Sequence, residues 1–200
     1  MKAHLRTAIF GAIALLALVA SPCASAQSEA PPAGAVPVEK LIAAVAKRTG
    51  KKFIVDPRVA ANVSVIGQEP TSVDYASLLL ILRVYGFAAV EEGGYVHVIP
   101  DANVRQYPVP VANGKESYAD AEYVNRLIPL KSASAAQLVP ILRPLVPQVG
   151  HLVAFPCKNT LLITDTFANV KRIEQIARAF DATEGEPYTP PSCNAEKPSG

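Results

Sequence analysis

A stretch without sustained periodicity divides this chain in two. Residues 101 to 120, DANVRQYPVPVANGKESYAD, mix Pro, Asn, Gly and charged residues, which is typical of a linker. On either side, hydrophobic patterns of helices and strands alternate in short segments. Each flanking module of about sixty to seventy residues has a marginal core, so its helices must pack tightly on one face of a small sheet. The pattern predicts an α+β fold built from two small domains.

The first module begins with a helix and two short strands. The apolar spacing that starts at Val38 is helical, and Gly50 suits the C-terminal cap of that helix. Two strands are predicted next, at Phe53–Val55 and Val63–Ile66, because both are short and rich in β-branched residues. Asp56-Pro57 turns the chain between them.

A second helix and a hairpin complete the first domain, residues 36–100. The helix is predicted to be capped by Thr71 or Ser72 and to end at Gly86. The following segment, FAAVEEGGYVHVIP, predicts a hairpin with Glu92-Gly93-Gly94 at its turn. The buried face of the helix is expected to contain Tyr75, Leu78, Leu79, Leu82 and Tyr85.

The second module starts with a strand at Tyr123–Leu130 and a helix that carries two prolines. Ser132 or Ser134 is the expected cap of this helix. Pro140 and Pro144 remove backbone donors, so we expect the helix to bend or to be shortened.

A hairpin and a final helix complete the second domain, residues 121–182. The strands are predicted at His151–Phe155 and Thr160–Thr164, across a turn that contains Pro-Cys-Lys-Asn. Asp165 or Thr166 then caps the last helix. This domain therefore has the order strand, helix, strand, strand, helix.

Residues 1–26 have the pattern of a secretory signal peptide. A positively charged start precedes a short uncharged run, and the small residues Ala24 and Ala26 predict cleavage that leaves Gln27 as the new N-terminus. The apolar run is too short for a membrane span. A lipoprotein would need Cys23 as the acylated residue, but a proline precedes it where such sites have a small residue.

Both ends of the exported chain are predicted to be disordered, at residues 27–35 and 183–200, because they are rich in proline and polar residues. The leader contains two of the nineteen Lys and Arg residues and none of the seventeen Asp and Glu residues. The exported chain is therefore formally neutral, which disfavours nucleic-acid binding. No later apolar run is long enough for stable membrane insertion.

Two cysteines remain after export, Cys157 and Cys193, in a compartment where oxidation is permitted. A disulfide between them would close a loop of thirty-seven residues, which stabilises by roughly 3 to 4 kcal/mol on a chain-entropy model. Two unrelated thiols, or a bridge between two chains, are the alternatives.

An ordered series of fragments carries a resemblance to a known family. IVDP and LRVYGFA in the first module, with IPLKSASA and NTLLITD in the second, resemble the N-terminal periplasmic domains of type II secretion secretins. The first domain is similar to the family's first N-terminal domain, which is also similar to the short domain of TonB-dependent receptors. The second is similar to the next secretin domain, which has the βαββα topology of KH domains.

The resemblance implies a surface for assembly and two departures from the family. The implied docking edge is the strand of Val63, Ser64, Val65 and Ile66. Secretin domains begin with a strand where this chain has PPAGAVP, so we expect that strand to be missing or supplied by a partner. The chain also ends after the second domain, so we expect that it does not form the channel by itself.

The residues that suggest chemistry have simpler explanations. A KH domain that binds nucleic acid needs a Gly-x-x-Gly loop, and neither module contains one. His97 and His151 lack a second ligand at metal spacing, and Glu91 beside Glu92 is typical of a solvated turn. We therefore expect no enzyme activity, no cofactor and no metal.

The sequence as a whole indicates a periplasmic protein-interaction module of type II secretion. Its expected partners are the inner-membrane clamp component, a full-length secretin, or further copies of the chain. The alternative is a soluble signalling adaptor similar to the short domain of TonB-dependent receptors. The second domain disfavours this alternative because those receptors have no counterpart of it.

Overall fold

The computed structural model describes residues 34–181, 187–189 and 191 of the 200-residue chain. The predicted signal peptide with Ala24, Ala26 and Gln27, most of the predicted leader and tail, and Cys193 lie outside the described residues. The described part belongs to one compact unit. Its fold combines helices with small sheets, which confirms the predicted α+β class.

The helices and strands alternate along the chain. The first module contains β1 Val36–Pro37, α1 Val38–Thr49, β2 Lys52–Val55, β3 Asn62–Val63, α2 Tyr75–Val84, β4 Phe87–Glu92 and β5 Tyr95–Pro100. The second contains β6 Tyr123–Pro129, α3 Ala135–Leu142, β7 His151–Phe155, β8 Thr160–Thr166 and α4 Phe167–Asp181. Short 3-10 turns lie at Pro70–Ser72, Asp101–Gln106, Arg143–Leu145 and Pro156–Lys158.

Helix α1 forms where the sequence predicts it. Its apolar stripe is buried, since Val38, Leu41 and Val45 are inaccessible to solvent. Gly50 ends the helix with a φ of 71°, a left-handed conformation that glycine adopts without steric cost, and its N–H donates to the Ala46 carbonyl.

The strand that was expected to be missing is present, although it has only two residues. β1 pairs antiparallel with β3, with Val36 opposite Val63 and Pro37 opposite Asn62. The lack of an N–H on Pro37 is tolerated because the ladder is so short. The expectation of a missing or borrowed strand is therefore wrong.

The predicted strand Val63–Ile66 is also corrected, because regular pairing stops at Val63. The N–H of Ser64 donates to the hydroxyl of Tyr85 over 3.1 Å, so the chain leaves the ladder there. Val65 and Ile66 continue without strand structure.

Helix α2 is capped by Asp74 rather than by Thr71 or Ser72. The Asp74 carboxylate accepts the N–H of Ser77 over 2.7 Å. Thr71 and Ser72 instead belong to the 3-10 turn that begins at Pro70. The predicted cap is therefore wrong by one short turn, whereas Leu78, Leu79 and Leu82 are buried as expected.

Two three-stranded sheets carry the two modules. Their strand orders are β2-β5-β4 and β6-β8-β7. β2 lies parallel to β5, and the other pairs in both sheets are antiparallel. The hairpin between β4 and β5 turns at Gly93-Gly94, whereas Glu92, which was predicted to belong to the turn, is the last residue of β4 and pairs with Tyr95.

The segment predicted to be a linker is packed against both modules. Val104 is inaccessible to solvent and Val109 is 7% exposed. They form a buried cluster with Tyr123 of β6 and with the face of the first sheet that points away from α1 and α2. The first-sheet residues in this cluster are Ala88, Val90 and Ile99.

The second module packs its helices on one face of its sheet. Pro140 lies inside α3, which ends two residues later and passes into a 3-10 turn that contains Pro144, so the predicted shortening is observed. Strand β8 extends to Thr166, and α4 starts at the next residue. Among the described residues, none of the helices combines the length and the hydrophobicity needed to cross a bilayer.

Candidate interaction surfaces

The predicted docking segment of residues 63–66 divides into a buried and an exposed part. Val63 is 1% exposed and belongs to the core of the first module. Ile66 is 96% exposed, although it is a large apolar residue. Val63 therefore serves the fold, whereas Ile66 is available to a partner.

A groove lies beside this segment. It has a volume of about 350 Å³, and its walls include Val36, Val63, Val65, Gly67 and Glu69. The groove thus lies between the two-stranded sheet of β1 and β3 and the loop that follows β3. Ile66 lies in the chain between Val65 and Gly67, both of which line the groove.

The outer face of the second sheet presents a second apolar surface. Leu162 on the central strand β8 lies opposite Leu127 on one side and Val153 on the other. Together with Phe155 they line a cavity of about 540 Å³. Leu127 and Phe155 are each 54% exposed. We call this surface, formed by Leu127, Val153, Phe155 and Leu162, the outer sheet face.

The inner side of the second module is fixed by buried polar side chains. Asn159 has a φ of 45° and is 4% exposed. Its amide donates to the carbonyls of Leu130 and Ala133, and its oxygen accepts the N–H of Ala135 over 2.8 Å. Asn159 therefore holds the turn between β7 and β8 against the start of α3, in addition to the turn-forming role predicted for it.

Asp165 is buried between the sheet and α4. Its carboxylate accepts the N–H of Thr166 over 2.6 Å and the side-chain amide of Asn169 over 2.5 Å. Burial raises the pKa of Asp165, although these hydrogen bonds oppose the change. The same Asn169 amide donates to the Leu145 carbonyl, so Asp165 positions the loop after α3 as well as the start of α4.

Asp181, the last residue of α4, binds the loop that precedes α3. Its carboxylate accepts the N–H groups of Lys131, Ser132 and Ala133 at distances from 2.7 to 3.0 Å. Partial burial opposes ionisation, but these hydrogen bonds lower the pKa of Asp181 below its usual value. The end of α4 is thereby tied to the loop that precedes α3.

The histidines and glutamates that the sequence singles out have separate surroundings. His97 contacts the ring of Tyr107, with ring centroids 6.0 Å apart, and His151 is exposed at the start of β7. Glu91 forms an ion pair with Lys51, whereas Glu92 is exposed in the hairpin. Within residues 34–181 and the short described part of the tail, no three His, Cys, Asp or Glu side chains come together as metal ligands.

Cys157 is disulfide-bonded in the turn between β7 and β8. Because Cys193 lies outside the described residues, the pairing of these two cysteines stays a prediction.

Sequence reasoning missed the outer sheet face. β8 contains the apolar run Leu161-Leu162-Ile163, and its alternate residues, Leu161 and Ile163, are fully buried. The period of two in a strand directs Leu162 to the opposite face. That alternation was the available signal for an exposed apolar surface.

Two family models match the chain. Residues 35–98 match the GspD-like N0 domain, and residues 125–184 match the bacterial type II/III secretion system short domain. The two matches follow each other along the chain and correspond to its two modules.

Known secretins are similar over most of the chain. Secretin XcpQ of Pseudomonas aeruginosa is 34% identical over 154 residues, which are 76% of this chain and 23% of XcpQ. Secretin OutD of Dickeya dadantii is 30% identical over 171 residues, which are 83% of this chain and 24% of OutD. The chain thus spans about a quarter of the length of the curated relatives it matches.

A solved structure agrees with these relatives. The type II secretion system outer membrane complex of Klebsiella pneumoniae, which contains PulD, PulS and the PulC HR domain, has a chain that matches with a TM-score of 0.60 and 29% identity. The match covers 74% of this chain and 26% of that one. The chain therefore belongs to the family of type II secretion secretins and carries their N-terminal domains within residues 35–184.

Proposed function

We propose that this chain is a periplasmic docking part of a type II secretion system and acts by binding, without chemistry. The observation that carries the proposal is the similarity of this chain to one chain of the Klebsiella pneumoniae outer membrane complex. That complex contains the PulC HR domain together with PulD and PulS. The partners we propose are the inner-membrane clamp component of such a system and a full-length secretin. The second family match disfavours the TonB-receptor alternative.

The first domain is proposed to dock through the side that carries β1 and β3. Ile66 lies there with 96% of its surface exposed, next to the groove between Val36 and Glu69. Burying a residue of this kind stabilises a complex by about 2 kcal/mol. β1 and β3 form a sheet of only two strands among the described residues, and a sheet edge of this kind can accept a partner strand.

Binding of the full chain to a purified domain of the PulC HR type tests this surface. Ile66→Asp should weaken the complex at least ~10-fold, because a single hot-spot residue at the centre of an interface commonly contributes that much binding free energy. Val84→Asp is the matched control, since Val84 is 80% exposed on α2 and lies outside the groove. Unchanged affinity of the Ile66→Asp variant would rule out docking at this surface.

The second domain is proposed to pack against the second domain of another copy. One apolar surface is the outer sheet face, and a second lies on the helix layer, where Ile141 is 54% and Leu145 is 38% exposed. Two different surfaces on opposite layers favour a head-to-tail interface, which closes into a ring when the rotation between copies permits it.

Sedimentation of the full chain over a range of concentrations tests this packing. The wild-type chain should associate reversibly, and Leu127→Lys should shift it to the monomer. Val84→Lys places the same charge on an exposed residue of the first module and should leave association unchanged. A wild-type chain that stays monomeric at its highest soluble concentration would contradict the proposal.

A further inference from the structure

A cleft between the two modules combines carboxylates with tyrosine rings. It has a volume of about 240 Å³, and its walls include Tyr75, Glu91, Pro108, Pro110, Tyr118 and Glu122. Tyr75 and Glu91 come from the first module, whereas Tyr118 and Glu122 lie just before β6. The packed segment between the modules supplies the two prolines, so the cleft exists only because both modules are held together.

A cation of the chain is already bound at the rim of this cleft. The ammonium of Lys51 forms an ion pair with Glu91 and lies 4.8 Å from the centroid of the Tyr75 ring. An ammonium at this distance is attracted both by the carboxylate and by the face of the ring. The walls near Glu91 therefore have the chemistry that binds a positive group.

Glu122 is the other carboxylate of the cleft, and the ion pair of Lys51 is with Glu91 instead. Among the described residues Glu122 forms no ion pair, and its hydrogen-bond donor is the N–H of Ala119 at 3.2 Å. Burial raises the pKa of Glu122 and the charge of Glu91 adds to this effect, whereas the hydrogen bond from Ala119 and the charge of Lys51 oppose it. A half-buried carboxylate without a cation is unfavourable, and a bound cation would relieve that cost.

We propose that this cleft binds an arginine side chain of a partner protein, with its guanidinium at Glu122 and its plane against the rings of Tyr75 and Tyr118. Arginine fits better than lysine because its planar guanidinium bonds a carboxylate through two donors and stacks on aromatic rings. This site is separate from the groove at Ile66 and from the outer sheet face. It goes beyond the proposed docking function, because it recognises one kind of side chain through contacts from both modules.

NMR titration of the isotope-labelled full chain with the peptide acetyl-Gly-Arg-Gly-amide tests the site. Millimolar peptide should shift the ring signals of Tyr75 and Tyr118 and the backbone signal of Glu122. The peptide acetyl-Gly-Gln-Gly-amide has no charge and should leave these signals unchanged. Equal shifts with both peptides, or no shift with the arginine peptide, would overturn the proposal.

Two variants test the charges at the cleft, and a third serves as their control. Glu122→Gln keeps an oxygen for the Ala119 N–H and should weaken arginine binding roughly fivefold, because a charge-assisted hydrogen bond is lost. Lys51→Met removes the competing cation and should strengthen binding roughly threefold. Glu92→Gln is the matched control, since Glu92 is exposed one residue beyond Glu91 and does not line the cleft. Wild-type affinity in Glu122→Gln, or weaker binding in Lys51→Met, would contradict the assignment.

Discussion

At the scale of single residues, Asn159 combines a backbone role with a tertiary one. Its left-handed φ of 45° shapes a turn, which is a conformation that asparagine tolerates better than most residues. Its side chain at the same time satisfies one N–H and two carbonyls around the start of α3. Both roles are lost when the side chain is removed.

We predict that Asn159→Ala lowers the free energy of unfolding by about 3 kcal/mol, because buried backbone groups lose their partners and alanine is strained at this φ. Asn159→Gly removes the side chain but permits the φ, so it should cost about 1 kcal/mol less. Urea denaturation of the three proteins measures the difference. Equal stability of the alanine and glycine variants would show that the φ contributes nothing.

Asp56 shows how a turn controls ionisation. Two hydrogen bonds from the Arg58 side chain and one from its backbone N–H lower the pKa of Asp56 from its usual 3.8 to about 2. Because folding lowers this pKa, the carboxylate stabilises the folded chain above about pH 4, and the contribution is lost as the pH falls toward 2.

We predict that Arg58→Gln raises the pKa of Asp56 toward its usual value, because the ionic hydrogen bonds are lost while the backbone N–H remains. Carbon-13 NMR of the carboxyl group over a pH titration measures this change. Lys52→Gln is a suitable control, since Lys52 lies at the start of strand β2 and its ammonium lies 5.7 Å from the centroid of the Tyr95 ring. A pKa that stays at about 2 in Arg58→Gln would assign the shift to the backbone instead.

At the scale of elements, the sequence predicts those helices and strands whose bounds depend on neighbouring residues. It does not predict bounds that depend on contacts with residues distant in the chain. Helix α1 follows from a local stripe and one glycine, so its bounds could be predicted. The cap of α2 could not, because a 3-10 turn at Pro70 occupies Thr71 and Ser72. The end of β3 depends on the Tyr85 hydroxyl, which is distant in sequence. A pattern records local spacing and does not record such contacts.

The packed segment and the candidate surfaces illustrate the same limit. Val104 and Val109 are single buried residues in irregular backbone, and they form no period that a pattern could reveal. Ile66 belongs to the segment that the sequence predicts as a docking edge, but its exposure depends on where pairing stops. The cleft lined by Tyr75 and Glu122 joins residues of two modules, so neither module alone indicates it.

We predict that Asp74→Ala lowers the free energy of unfolding by about 1 kcal/mol, because α2 loses the side-chain acceptor of its first turn. Thr71→Ala should change stability by less than about 0.5 kcal/mol, because Thr71 is exposed and caps no helix in the structure. Thermal and urea unfolding of both variants decide which residue is the cap. A larger effect of Thr71→Ala would contradict the assignment.

At the scale of the whole molecule, the two modules share a buried cluster around Val104 and Tyr123. The first sheet is covered on both faces, by its helices on one side and by this cluster on the other. A shared apolar cluster couples the stabilities of the two modules.

We predict that the full chain unfolds in one urea transition. Val104→Ala should lower the free energy of unfolding by about 2 kcal/mol, through lost burial and a small cavity. NMR signals of both modules should then be lost at the same, lower urea concentration. Loss of the signals of one module while those of the other persist would show that the cluster does not couple them.

The strand orders of the two three-stranded sheets have a consequence for the order in which the chain can fold as it emerges. In both β2-β5-β4 and β6-β8-β7, the central strand is the last one along the chain. A polypeptide that emerges from a narrow pore with its amino end first therefore delivers both outer strands before the strand that joins them. Neither sheet can close until its final strand has passed. The strand order thus delays the completion of each three-stranded sheet until the end of its domain has emerged.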